Sequence, residues 1–290
     1  MRRIEESELI VNPDGSIYHL HITPDQLADD IIVVGDPGRV EAISKYFDTI
    51  EHKVHNREFV THTGVYRGKR LTVLATGIGT DNIDIVMNEL DALVNIDLKT
   101  RQVKSQHHSL NIVRLGTSGA LQEFIPVDSF VFSSYGLGID GLLNFYKGSD
   151  SIIDKQMTEA FCELSNWPKE LSKPYIVKAS SSLEEKISDG MYKGITATAP
   201  GFYGPQGRVL RLELSNPELN SSLEGFEYNN QKITNFEMET SALYGLGKLL
   251  GHKTATVCAI IANRYSRTYS EDYKSTVEKL IKIVIDRLSD

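Results

Sequence analysis

The chain has 290 residues, of which 40% are hydrophobic and 24% are charged, and its formal net charge is −8. This composition is typical of a globular protein. The acidic balance argues against a broad nucleic-acid-binding surface, although a local arginine cluster can still bind a small anion. The first eight residues lack the apolar core of a signal peptide, and no run of 18 apolar residues predicts a membrane span. We therefore expect a cytoplasmic protein without a membrane or nucleic-acid partner.

Strand and helix patterns alternate along the chain, which predicts an α/β fold. In chain order, the elements predicted for the first half are a strand at 31–34, a turn at 35–38, a helix at 40–47, a hairpin of 57–66 with 71–76, and an amphipathic helix at 81–94. We expect Asp81 to cap the last of these helices, as aspartate commonly does. Residues 99–109 are polar and basic, and they are expected to form a surface loop.

The second half continues the alternation. In chain order, its predicted elements are strands at 110–115 and 127–133, a helix at 152–164, extended segments at 175–179 and 194–199, a helix at 236–250, a strand at 254–261, and a last helix opened by a capping box at 268–271. Cys162 and Cys258 lie in apolar patterns, so buried free thiols are expected. Because no repeat or low-complexity linker interrupts the chain, one domain over residues 1–290 is the simplest organisation.

Two glutamates, Glu237 and Glu239, flank a methionine where the helix pattern at 236–250 begins. Acidic side chains are rarely buried unless they have a partner. A carboxylate can accept hydrogen bonds from two hydroxyls, so a vicinal diol such as the 2′,3′ edge of ribose is a suitable ligand. The alternative is that both acids are solvated in the first turn of the helix, where the helix dipole favours negative charge.

Three glycine-rich segments follow predicted strands. Gly35-Asp-Pro-Gly38 precedes Arg39, Arg114 closes an apolar strand before Gly116-Thr-Ser-Gly119, and Thr76-Gly-Ile-Gly79 runs into a helix. Exposed backbone amides and helix N-termini attract anions, and arginine can donate two hydrogen bonds to phosphate. Because ligands of open α/β sheets bind at the carboxyl ends of strands, these segments favour an oxyanion site over ordinary turns with solvated arginines.

The segment at 198–208 is rich in glycine and proline, and it also carries aromatic and polar side chains. Phe202 or Tyr203 can stack on a planar ring. Gln206 presents an acceptor and donors side by side, suited to a ring N–H and its neighbouring carbonyl, and Arg208 can hold another carbonyl oxygen. The alternative is an ordinary surface loop.

Taken in order over most of the chain, these segments and two others resemble the nucleoside phosphorylase family that includes uridine phosphorylase. The segments that carry the resemblance are 18–20, 35–39, 56–59, 76–79, 114–119, 202–208 and 236–239. The resemblance implies a single-domain, three-layer α/β/α fold with a central mixed β-sheet. It also implies a homodimer, or a hexamer built from dimers, with residues 1–28 contributing to the subunit interface.

The resemblance further implies a role for each matching residue. The implied phosphate site comprises Gly35, Arg39, Arg114 and Thr117, with Arg57 supplied by a neighbouring subunit. The implied ribose site comprises Met238, Glu239 and, from across the interface, His19. The implied base site comprises Phe202, Gln206 and Arg208. Asn263-Arg264 matches the uridine type of the family, and the residues implied in catalysis are Arg39, Arg114 and Arg208.

These roles imply reversible, phosphate-dependent cleavage of uridine to uracil and ribose 1-phosphate. Phosphate attacks the anomeric carbon while the glycosidic bond loosens and the sugar gains positive charge. Gln206 and Arg208 then stabilise the negative charge that grows on the departing uracil. Inorganic phosphate is a co-substrate. No metal and no other cofactor are expected, although the resemblance leaves room for a structural monovalent cation.

Other functions fit the sequence less well. A nucleosidase on the same fold would use water, which needs no arginine cluster. A purine phosphorylase is disfavoured by Gln206, Arg208 and Asn263. A non-catalytic nucleoside-binding protein is the alternative of another class. A dinucleotide oxidoreductase lacks the Gly-x-Gly-x-x-Gly pattern. His107 and His108 are expected to be solvated rather than to bind a metal, and residues 135–141 receive no role.

Overall fold

A computed structural model of the chain describes residues 3–290, so the first two residues of the predicted interface segment 1–28 lie outside the described part. The structure is a mixed α/β fold in which helices pack on a central mixed β-sheet. The predicted fold class is therefore confirmed. Within the described residues, no helix is long and apolar enough to cross a membrane.

The elements of residues 3–290 are named in chain order. The strands are β1 (Asp30–Val34), β2 (Thr49–Asn56), β3 (Phe59–Tyr66), β4 (Lys69–Ala75), β5 (Ile96–Asp97), β6 (Gln102–Val103), β7 (Asn111–Ala120), β8 (Phe130–Gly138), β9 (Tyr175–Lys178), β10 (Tyr192–Thr198), β11 (Glu227–Tyr228), β12 (Gln231–Glu237), β13 (Lys253–Asn263) and β14 (Thr268–Tyr269). The helices are α1 (Pro37–Ser44), α2 (Thr80–Asn95), α3 (Lys155–Leu164), α4 (Ser181–Ile187), α5 (Leu219–Gly225), α6 (Thr240–Leu249) and α7 (Tyr273–Ser289). Short 3-10 turns lie at Pro24–Gln26, Leu142–Phe145, Ser149–Ser151 and Gly204–Gln206.

The order of the strands decides which strand ends meet. The main sheet runs β11-β12-β10-β8-β13-β7-β1-β4-β3-β2, with β9 paired to β8 and β14 to β13. β13, β7, β1 and β4 are neighbours and run parallel, so their carboxyl ends lie at one edge of the sheet. β12 pairs with β10 and also pairs antiparallel with β7, which sets Phe236 opposite Gly119. The end of β12 is thereby brought to the end of β7.

The core explains why the central elements form as they do. β1 is buried along its whole length, as expected of a parallel strand covered on both faces. α2 buries the stripe predicted from its periodicity, which includes Ile83, Met87 and Leu90, and it packs against α6. Each fully buried aliphatic side chain contributes about 1.5–3 kcal/mol. Burial of β1 and α2 therefore stabilises the part of the sheet in which β1 ends.

Two predictions about the strands near the site are wrong. The strand predicted to end at residue 115 continues through residues 116–119 in β7, so Arg114 lies within the strand and does not close it. Pairing with β13 and β12 supplies hydrogen-bond partners that glycine-rich sequence alone does not reveal. The predicted helix at 236–250 begins only at Thr240, and Glu237 ends β12. Burial of β12 beside β10 outweighs the local helix pattern.

Two predicted helix starts are also wrong. Asp81 lies in the first turn of α2 and does not cap it, because Gly79 takes the N-cap position with a φ of 100° that favours glycine. α7 begins at Tyr273, where the side chain of Asp272 accepts a hydrogen bond from the Ser275 amide. The proposed capping box at 268–271 instead falls on β14, which pairs with β13.

Candidate functional site

A cavity of about 620 Å³ lies where β1, β7, β12 and β13 end. Most of the site residues predicted from the sequence line it, namely Gly35, Arg39, Arg114, Thr117, Phe202, Gln206, Arg208, Met238 and Glu239. Further lining comes from residues without a predicted site role, including Ile78, Ser118, Arg264 and Tyr269. The fold therefore brings together segments that are widely separated in the chain.

Arg39 reaches the cavity from the first turn of α1. Pro37 begins this helix, and the Asp36 carboxylate caps it by accepting a hydrogen bond from the Gly38 amide at 2.9 Å. The Arg39 guanidinium reaches the middle of β7, where Nη1 donates to the Leu115 carbonyl at 3.2 Å. Burial and the nearby positive charge of Arg114 lower the pKa of Arg39. Two cationic groups are thus held close together at this end of the cavity.

Arg114 is almost fully buried on β7 and is paired with two carboxylates. Its Nη2 donates to Glu239 Oε2, and its Nη1 lies 3.3 Å from Glu237 Oε2. Burial alone lowers the pKa of Arg114, but the two glutamates raise it above its ordinary value. Gly116 leaves room for this guanidinium, because a Cβ at Gly116 would lie 2.0 Å from Arg114 Nη1.

Glu237 and Glu239 are both buried, so the alternative of solvated charges is wrong. Glu237 accepts hydrogen bonds from the Thr198 hydroxyl at 2.7 Å and from the amides of Glu239 and Thr240 at 3.0 Å. Burial raises the pKa of Glu237, and the charge of Arg114 opposes that rise. These contacts fix the turn between β12 and α6. Glu237 therefore supports the site, whereas Glu239 presents a carboxylate to the cavity.

The glycine-rich segment at 76–79 is predicted to bind an oxyanion, but its backbone contacts a side chain of the protein. Gly77 and Gly79 have φ values of 74° and 100°, and the Gly79 amide donates to Glu239 Oε1 at 2.8 Å. Only glycine adopts such angles without strain. This strand end therefore orients Glu239.

The opposite end of the cavity is built by the segment at 198–208. Gln206 is buried, and its Oε1 accepts a hydrogen bond from Arg208 Nη1 at 2.5 Å. The same nitrogen donates to the Phe202 carbonyl at 2.6 Å, and the guanidinium carbon lies 3.8 Å from the centre of the Phe202 ring. Because arginine only donates, the Gln206 amide must turn its oxygen towards Arg208. Phe202, Gln206 and Arg208 line the cavity, whereas Tyr203 is exposed and does not.

Arg264 is the main lining residue that the predicted base site omits. It follows β13 and donates through Nη1 to the Gln206 carbonyl. Burial and then the charge of Arg264 lower the pKa of Arg208. Two guanidinium groups therefore lie beside Gln206. The preceding residue, Asn263, does not line the cavity and instead donates to the carbonyls of Gln122 and Ile125 at 2.9 and 2.7 Å. The sequence shows Asn263 and Arg264 as adjacent residues. Only the fold reveals that Arg264 lines the cavity while Asn263 anchors a neighbouring loop.

Two predicted site residues do not line the cavity of their own chain. His19 Nδ1 lies 2.6 Å from Glu89 Oε1, and the His19 carbonyl accepts a hydrogen bond from Asn56 at 2.8 Å. Arg57 is exposed in the β2–β3 turn with a φ of 55°, and its guanidinium lies 5.4 Å from the Tyr18 ring centre. His19 and Arg57 thus belong to a second polar cluster outside the cavity.

A group of three potential metal ligands lies elsewhere. Asp91, His107 and His252 place ligand atoms within 4.8 Å of one another. His107 Nε2 lies 2.8 Å from the Leu250 carbonyl, and His252 Nδ1 accepts a hydrogen bond from the Leu110 amide at 3.2 Å. His252 Nε2 lies 3.3 Å from Asp91 Oδ1, but it makes no hydrogen bond within the described residues. The hydrogen bonds of His107 and His252 given above therefore run to main-chain groups and not to Asp91.

Comparison with known proteins identifies the family. The model of the phosphorylase superfamily matches residues 29–288. The chain belongs to the phosphorylase superfamily. The predicted family resemblance is thereby confirmed.

Relatives within the superfamily include uridine phosphorylases. The uridine phosphorylase of Thermococcus kodakarensis is 28% identical over 266 residues, which cover 89% of this chain and 81% of that protein. The uridine phosphorylase of Haemophilus influenzae is 26% identical over 279 residues, which cover 93% and 96%. A solved Trypanosoma brucei nucleoside phosphorylase, described as showing uridine phosphorylase activity, has a TM-score of 0.86 and 30% identity, with coverage of 97% and 99%.

Proposed function

We propose that this phosphorylase superfamily member is a pentosyltransferase that cleaves uridine, reversibly and with phosphate, to uracil and ribose 1-phosphate. One observation carries the proposal: a single cavity holds two arginines at one end, a buried carboxylate, and an amide with two arginines at the other end. The uridine phosphorylase relatives support the same reaction. Such an enzyme would serve pyrimidine nucleoside salvage.

The phosphate is proposed to bind between Arg39 and Arg114, beside Gly35 and Thr117. The charges of the residues around this position indicate that phosphate binding needs a further cation. In one chain the two guanidinium groups are balanced by the carboxylates of Glu237 and Glu239, so no net positive charge remains for a phosphate dianion. A further cation is needed, and Arg57 of a neighbouring subunit would supply it.

The sugar is proposed to lie on Met238 and Glu239. The Glu239 carboxylate is held by Arg114 and by the Gly79 amide, and it can accept hydrogen bonds from the 2′ and 3′ hydroxyls of ribose. Phosphate then attacks the anomeric carbon as the glycosidic bond breaks, and the electron pair of that bond leaves with the base. The positive charge on the sugar develops between the phosphate and the carboxylate, where both stabilise it.

The base is proposed to bind beside Phe202, Gln206 and Arg208. Gln206 Oε1 has a second lone pair for the uracil N3–H, and its NH2 group can donate to a neighbouring carbonyl. Arg208 and Arg264 repel one another, so negative charge on the departing uracil relieves that repulsion. Each preorganised donor can contribute roughly 3–4 kcal/mol to the transition state. The described residues at this end include no acid that would protonate a purine.

Base preference and turnover test this proposal together. Uridine and inosine are each incubated with the protein and phosphate, and the free base is quantified by chromatography. We expect uracil to be released and inosine to stay intact. Cleavage of inosine alone would contradict the assignment of Gln206 and Arg208. Binding of uridine without turnover would instead favour a nucleoside-binding protein.

We also propose that the chain forms one domain over residues 1–290 and assembles as a homodimer, or as a hexamer of dimers. In that assembly His19 and Arg57 would enter the neighbour's cavity, and residues 1–28 would contribute to the interface. Support comes from the position of both residues outside their own cavity. A cytoplasmic location stays a prediction.

Complementation between inactive variants tests the sharing of sites. Arg57→Ala and Arg114→Ala are each expected to be inactive as pure proteins. Co-expressed in equal amounts, random dimers would contain about a quarter of intact sites, because one chain supplies Arg114 and its neighbour supplies Arg57. Failure to recover activity in the mixture, or full activity of a monomer by light scattering, would contradict the shared site.

A further inference from the structure

The sequence Tyr-Gly-Leu-Gly-Ile-Asp-Gly at residues 135–141 spans the end of β8, and none of its residues lines the cavity. The Asp140 side chain nevertheless accepts hydrogen bonds from three groups. It accepts from the Tyr175 hydroxyl at 2.8 Å, from the Ser241 hydroxyl at 2.8 Å and from the Leu142 amide at 2.8 Å. Burial raises the pKa of Tyr175 well above 10, so this hydroxyl keeps its proton and donates it to Asp140.

Ser241 connects Asp140 to the turn that carries the proposed ribose residues. It lies in the first turn of α6, two residues after Glu239. Its amide donates to Thr198 Oγ1 at 3.0 Å, and the Thr198 hydroxyl donates to Glu237 Oε1 at 2.7 Å. These hydrogen bonds, joined through the backbone of Ser241, connect Asp140 to the buried Glu237 carboxylate. That carboxylate also accepts a hydrogen bond from the Glu239 amide at 3.0 Å.

The two glycines before Asp140 explain how these elements come so close. A Cβ at Gly136 would lie 3.0 Å from the Ser241 Cα, and a Cβ at Gly138 would lie 2.3 Å from the Tyr175 ring. The start of α6 and the Tyr175 ring thus pack directly on the backbone of β8. Gly136 and Gly138 thus let Ser241 and Tyr175 approach the strand, and Asp140 accepts hydrogen bonds from both side chains.

We propose that Asp140 is a positioning residue for ribose recognition, acting by holding the first turn of α6 and hence Met238 and Glu239. This inference rests on the proposed binding of ribose by Glu239. Asp140 does not touch the substrate in this account. Its carboxylate fixes the direction in which the turn presents Glu239. At the phosphate end, Arg39 is held separately, by α1 and the Leu115 carbonyl.

Asp140→Asn tests the proposal, since asparagine keeps the size but turns part of the acceptor into a donor. We expect KM for uridine to rise about fivefold, and KM for phosphate to change less than about twofold, from the loss of hydrogen bonds to a charged acceptor. The ratio of kcat/KM for uridine to that for 2′-deoxyuridine should fall, because the hold on the 2′-hydroxyl loosens. A lower kcat with both KM values unchanged would indicate a merely structural role and overturn the proposal.

Asp154→Asn is the matched control. Asp154 also accepts a hydrogen bond at the start of a helix, from the Met157 amide at 3.0 Å, but it caps α3 outside the cavity. We expect its KM values to equal those of the wild type. Ser241→Ala removes a single hydroxyl and should shift KM for uridine in the same direction as Asp140→Asn, by a smaller factor. It keeps the test available if Asp140→Asn does not fold.

Hydrogen exchange separates this inference from the proposed function. In Asp140→Asn, the amides of residues 240–243 should exchange faster than in the wild type, while those of α3 stay unchanged. Unchanged exchange at the start of α6 would overturn the positioning role whether or not uridine is cleaved. If the wild type itself fails to cleave uridine with phosphate, the proposed function fails, and the exchange data still decide whether Asp140 holds this turn.

Discussion

Replacing Gly116 with alanine tests whether Arg114 reaches its two glutamates only because β7 leaves room for it. The new Cβ would lie 2.0 Å from Arg114 Nη1 and 2.9 Å from Arg114 Cζ. Atoms cannot approach this closely, and the guanidinium is buried and paired on both sides. It must therefore leave Glu237 or Glu239.

The structure sets the expected size of the effect. Breaking a buried ion pair costs about 3–5 kcal/mol when one partner is removed. Here the displaced guanidinium keeps its charge nearby, so we expect the free energy of unfolding to fall by about 3 kcal/mol. Loss of a similar amount of transition-state stabilisation would lower kcat/KM for uridine about 100-fold. Both quantities should change because the same guanidinium stabilises the buried acids and the bound phosphate.

Initial rates with uridine and phosphate, together with urea unfolding, measure these effects. Gly225→Ala is the control, because a Cβ at Gly225 meets nothing within 4 Å. If Gly116→Ala acts through Arg114, the double variant Gly116→Ala/Arg114→Ala should have a kcat/KM less than about threefold below that of Arg114→Ala alone. Wild-type kcat/KM in Gly116→Ala would contradict a role for Gly116 in making room for Arg114.

Three further predictions concern other parts of the chain. Arg208→Gln should lower kcat/KM for uridine about 100-fold while KM for phosphate stays unchanged in steady-state kinetics; an equal rise in both KM values would contradict its place at the base. Burial, and then Lys53, lower the pKa of His62 below 6.5, so the unfolded chain takes up the proton first. The free energy of unfolding should therefore fall as pH drops below 6.5, and His62→Gln should flatten that slope in urea titrations. Burial raises the pKa of Cys258 to about 11, so mass spectrometry should find native Cys258 unmodified by iodoacetamide at about pH 8, with half-buried Cys162 labelled first.

Local signals in the sequence were enough to predict the parts of the fold that carry the phosphate end. The apolar run before Gly35 and the stripe of α2 predict a buried strand and a helix, and both are confirmed. The three glycine-rich segments are predicted to lie at neighbouring strand ends. β1 does lie between β4 and β7 and runs parallel to both, although residues 116–119 belong to β7 itself. Strong periodicity and glycine placement report on such features because they depend on neighbouring residues alone.

Features that depend on distant pairing could not be predicted in this way. Arg114 and Glu239 are 125 residues apart, and they meet only because β12 pairs with β7. The same pairing turns the predicted start of a helix at Glu237 into the end of a strand. Arg264 joins the base end through the position of β13, and the Gly79 amide serves Glu239 instead of an anion. Tertiary contacts override local propensity at each of these positions.

The identity of the sugar product distinguishes phosphorolysis of uridine from hydrolysis. Uridine is incubated with the wild-type protein, with and without inorganic phosphate, and the products are followed by phosphorus NMR and chromatography. We expect uracil and ribose 1-phosphate in equal amounts when phosphate is present, and no cleavage when it is absent. Release of uracil with free ribose in the absence of phosphate would contradict the account and indicate a nucleosidase.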